Sequence, residues 1–86
     1  MATKAELEAR RNRLQADSKI LGDWGTEAQA DLIEAQDLLQ KAGTPNPALE
    51  DIVQKASDRV NALDEARRLS DDLASALTGI ILTMRP

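Results

Sequence analysis

Between Pro47 and Gly79 the chain holds no glycine and no proline, and apolar side chains recur there at helical spacing. No other feature constrains the fold as strongly. Counted in heptads from Leu49, the first position reads Leu49, Ala56, Leu63, Ser70, Leu77 and Met84. The fourth reads Ile52, Arg59, Ala66, Leu73 and Ile80, and the fifth reads Val53, Val60, Arg67, Ala74 and Ile81. This pattern predicts one helix over about 47–83, roughly 55 Å long at 1.5 Å per residue. Such a helix takes nearly half of the 86 residues, so the remainder, or another molecule, must cover it.

The start of that helix is well marked. Gly43 suits the residue just past a helix end, and Lys41 suits the last turn before it. Pro45 keeps the preceding chain out of helix, Asn46 is a good N-cap, and Pro47 fits the first helical position. Gly43, Pro45, Asn46 and Pro47 therefore predict a tight reversal. Upstream, Thr3 and Glu6 form a capping-box pattern, and Leu7, Leu14 and Leu21 repeat every seven residues. "GDWG" at 22–25 predicts a break or sharp kink, followed by a second capping-box pattern at 26–29. Ala28, Leu32, Ala35, Leu39 and Ala42 then form an Ala/Leu seam able to approach another helix closely.

The expected fold is therefore all-α and one domain over 1–86. It is a long helical hairpin whose first arm is kinked, with helices at about 3–21 and 26–42 against a second helix at about 47–83. The alternative is a closed three-helix bundle. In the hairpin, Trp24, Ile33, Leu38, Leu69 and Ile81 are expected to face outward, and an apolar stripe along the molecule implies self-association or a protein partner. Leu73, Leu77, Ile80, Ile81, Leu82 and Met84 are the expected assembly contacts, because large apolar side chains crowd a helix end that would otherwise fray. Trp24 is read either as sealing the kink or as an interface anchor.

Composition excludes more than it specifies. With no Cys and no His, thiol and imidazole chemistry, their metal sites and disulfides are absent. No spacing brings a nucleophile to a base, so no enzyme, cofactor or metal site is expected. The N-terminus is charged and lacks the apolar core of a cleavable signal, and "GIIL" is far too short to span a bilayer. The net charge of −4 is unevenly spread: residues 1–21 sum to +2, residues 22–51 to −6, and the rest balances. The basic run "RRNR" at 10–13 lies in a chain that is acidic overall and has one aromatic residue, which argues against nucleic-acid binding.

The stretch from residue 41 to the end resembles the needle subunits of bacterial type III secretion systems. The resemblance rests on the turn "PNPAL" (Pro45 to Leu49), the length of the helix and tail after Pro47, and the apolar ending "LASALTGIILTMRP". It implies a subunit that polymerises into a helical filament, an extracellular conduit for exported proteins. It also implies other secretion-system proteins as partners, and export without a cleaved signal from a cytoplasmic pool. In that family the C-terminal helix generally lines the lumen, which makes Arg59, Asp64, Arg67, Arg68 and Asp71 the candidate lumen residues. The alternative is a small helical adaptor, chaperone or inhibitor, secretion- or phage-related, that docks its apolar stripes on a larger protein.

Overall fold

A computed structural model describes residues 2–84. Two helices, α1 (Lys4–Ala42) and α2 (Pro47–Thr83), pack antiparallel through the short turn at 43–46. The hairpin measures 65 × 16 × 15 Å. Among the described residues there is no third helix to close a bundle.

The ends of both helices follow the sequence signals. Thr3 Oγ1 accepts from the Glu6 amide at 3.2 Å, and Asn46 Oδ1 accepts from the Leu49 amide at 3.2 Å. Gly43 adopts φ 68°, and its N–H donates to the Gln40 carbonyl. This is the left-handed closure that a residue with a Cβ adopts only at a cost. Pro47 follows as the first residue of α2. Replacing Pro47 with Gly removes its preset φ and frees the unfolded chain. The expected cost is about 1 kcal/mol, read as a lower melting temperature.

The break at 22–25 does not form. α1 runs unbroken through Gly22, Asp23, Trp24 and Gly25, so the helices expected at 3–21 and 26–42 are one. Thr26 does not cap a new helix, and its hydroxyl donates instead to the Gly22 carbonyl at 3.2 Å. A glycine weakens a helix by about 1 kcal/mol relative to alanine, a penalty that packing against α2 overrides. At Gly22 the missing side chain makes room: a Cβ there would lie 3.3 Å from the Arg67 guanidinium. Gly25 has open space where its Cβ would be, and neither residue has a positive φ. Gly25→Ala should therefore raise stability by about 0.5–1 kcal/mol in thermal unfolding. Gly22→Ala should gain less, because Arg67 must move aside.

The seam between the helices is thin. On α1 it follows Leu7, Leu14, Ser18, Leu21, Gly25, Ala28, Leu32, Ala35 and Leu39, each buried or half-buried. On α2 the first and fifth heptad columns meet it, and Ala74 and Ile81 are the buried members. Four of the five buried apolar residues lie toward the turn or at the tail end, and no large side chain among the described residues is fully buried. Small residues let the helices approach but remove little area from water, so the isolated hairpin gains modestly from burial.

Candidate assembly surface

One helix can cover only two adjacent columns of its neighbour, and α2 offers three. The column left over is the fourth: Ile52, Leu73 and Ile80 are exposed, as is Arg59, while Ala66 is half-buried. Those positions each fall one residue before a seam position. With the interleaved residues they read Ala62, Ala66, Leu69, Leu73, Ala76 and Ile80, a second apolar seam at alternating spacings of four and three.

The corresponding row on α1, one residue before each seam position, holds Ile20, Trp24 and Leu38 among charged residues. Arg59 Nη1 donates to Asp31 Oδ2 at 2.9 Å across the helices, which places the two rows on the same side of the hairpin. At the open end, Leu73 shares a groove with Leu7, Leu14 and Leu77, edged by Arg10 and Arg13. Seven of the nine large apolar side chains exposed among the described residues thus fall on one face: Ile20, Trp24 and Leu38 from α1, and Ile52, Leu69, Leu73 and Ile80 from α2. Ile33 and Leu82 lie on the opposite face, one residue after the seam positions Leu32 and Ile81.

Apart from Ile33 and Leu82, the opposite face is polar. Its α2 row reads Gln54, Ser57, Asn61, Asp64, Arg68, Asp71, Ser75 and Thr78, and its α1 row includes Asn12, Gln15, Lys19, Thr26, Gln29 and Gln36. Ser18, the buried polar residue of the seam, donates its hydroxyl to Asp71 there. Seam position Ser70 is half-buried. Arg68 donates to Glu65 at 2.6 Å; that hydrogen bond, and then the carboxylate charge, raises the guanidinium pKa. The hydrogen bond to Asp51 and its charge likewise raise the Lys55 ammonium. All these ion pairs are exposed and add little to stability.

The residues expected to drive assembly divide. Leu73, Ile80 and Leu82 are exposed, Leu82 to 81%, while Leu77 and Met84 are half-buried. Ile81 is 6% exposed and belongs to the fold, so the expectation that it faces outward is corrected. It occupies the fifth column, which packs on α1. Trp24 has no bend to seal and stands 51% exposed on the apolar face, level with Ala66. The turn residues Gly43, Pro45, Asn46 and Pro47 sit at one tip of the hairpin, away from the groove at the open end.

The chain matches no family model, no curated protein and no solved structure. Among the described residues, no helix is long and apolar enough to cross a membrane, and no cluster of acidic side chains has the arrangement of a metal site.

Proposed function

We propose that this chain is a structural subunit that self-associates through its apolar face and builds a helical filament, in the manner of a type III secretion needle. The observation that carries the reading is the one-sidedness of the surface. A monomer gains nothing by gathering seven large apolar side chains on one face and, beside Ile33 and Leu82, amides, hydroxyls and charges on the other. A subunit gains a contact side and a wet side. The hairpin form, the proline-marked turn and the apolar tail support the needle within this class of assembly.

Lateral contacts bury the apolar face and supply stability that the thin seam lacks, so folding and assembly are coupled by mass action. The polar face remains for solvent or for a channel. Of the candidate lumen residues, Asp64, Arg68 and Asp71 lie on that polar face. Arg59 lies on the apolar face, engaged with Asp31, and Arg67 lies against Gly22. A conduit for unfolded chains would then be lined by Asp64, Arg68 and Asp71, with secretion-system proteins as further partners and the cell surface as the site of assembly.

Light scattering on the pure protein with negative-stain microscopy tests the reading. Uniform rods that lengthen with concentration are the expected result. A monomer that persists at high concentration would overturn it and favour the adaptor, with the apolar face reserved for another protein.

A further inference from the structure

We propose that the apolar face is covered by a second copy of this chain in register, turn beside turn, with α1 of each copy lying on α2 of the other. The inference rests on the self-association reading and specifies the contact at the apolar face; a two-fold contact closes on itself, so growth into a filament would use a second contact between pairs. Three cross-helix pairs fix the register within one hairpin: Asp31 with Arg59, Gly22 with Arg67, and Ser18 with Asp71. Ile20 is therefore level with Leu69, Trp24 with Ala66, Glu34 with Lys55, and Leu38 with Ile52.

A two-fold axis along the hairpin keeps every residue at its own level and swaps the helices. Each α1 residue of the face then meets, in the second copy, the α2 residue level with it. Ile20 meets Leu69, and Leu38 meets Ile52. Trp24, the largest side chain of the face, meets the small Ala66. Between these apolar layers, Asp31 and Glu34 meet Arg59 and Lys55, which turns the Asp31–Arg59 pair into a ring of four alternating charges. At the open end the stems of Arg10 and Arg13 lie over Ile80 and Ala76 with their charged heads at the rim.

The reversed arrangement, turn beside open end, matches poorly. It sets Lys55 and Arg59 against the apolar stretch of Leu73, Ala76 and Ile80 with no acid opposite, and it sets Leu38 against Arg10. The available area is sufficient. A face 65 Å long and 16 Å wide offers about 1,000 Å² per copy, comparable to stable protein interfaces. Its α2 row also has the alternating spacing of a helix-packing seam.

The chain has no cysteine, so single introduced thiols report only contacts between copies. Glu34→Cys and Lys55→Cys chains, mixed and treated with a short bismaleimide, should give a cross-linked dimer in high yield. Each variant alone should give little, because like positions lie diagonally across the pair. Ala66→Cys alone tests the reversed arrangement, whose two-fold axis passes near Ala66 and would bring the two thiols together. Efficient Ala66→Cys self-linking without the mixed 34–55 product would overturn the in-register pair. A monomer under all conditions would overturn both the pair and the filament. In-register dimers that never grow into rods would leave the pair standing and remove the filament.

Discussion

Replacing Leu69, Leu73 and Ile80 together with Glu should leave a folded hairpin that no longer self-associates. The three side chains are exposed in the single chain, so each substitution should cost the fold no more than about 0.5 kcal/mol. Helix content measured at high dilution should match the parent. Association should fall about a thousand-fold: each side chain is half exposed in the single chain, so covering it contributes at least about 0.75 kcal/mol, and six across a pair of copies amount to about three factors of ten. Gln54→Glu, Asn61→Glu and Ser75→Glu together add the same charge to the polar face and should leave association almost unchanged. Sedimentation velocity over a concentration series reads both variants. Equal losses in the two would mean that net charge, and not the apolar face, governs assembly.

The contrast between those variants depends on a distinction that the amino-acid pattern only partly shows. The turn at 43–47 was legible because Gly43, Asn46 and Pro47 each carry a local conformational requirement that neighbours cannot change. The long second helix was legible for the same reason, as nothing between Pro47 and Gly79 opposes it. The continuity of α1 was not. Gly22 and Gly25 argue for a break on local grounds, and the packing of α1 along the whole of α2 outweighs them. Nor could three apolar columns on α2 reveal which two would be used. That choice depends on how α1 presents its own seam, and it decides which residues remain for a partner. Trp24 changed meaning with it: without a bend to seal, the ring is part of the exposed face.

The sharpest consequence falls on two adjacent residues of the tail. Ile80 is 51% exposed on the apolar face, and Ile81 is 6% exposed in the seam. Ile81→Ala removes buried side-chain volume and should cost about 2–4 kcal/mol. A chain of this size rarely has more than about 3–5 kcal/mol to lose, so most of the dilute protein should unfold. Ile80→Ala should barely change the dilute protein and should weaken association instead. Melting temperature against protein concentration separates the two effects, because assembly stabilises the folded form by mass action. The Ile81→Ala curve should lie well below the parent and still rise with concentration. The Ile80→Ala curve should start at the parent value and rise less. Truncation after Gly79 removes both residues, so it should give a chain that is destabilised as well as non-associating. Similar curves for the two point variants would show that the tail is not divided between fold and interface, and that the column assignment of α2 is wrong.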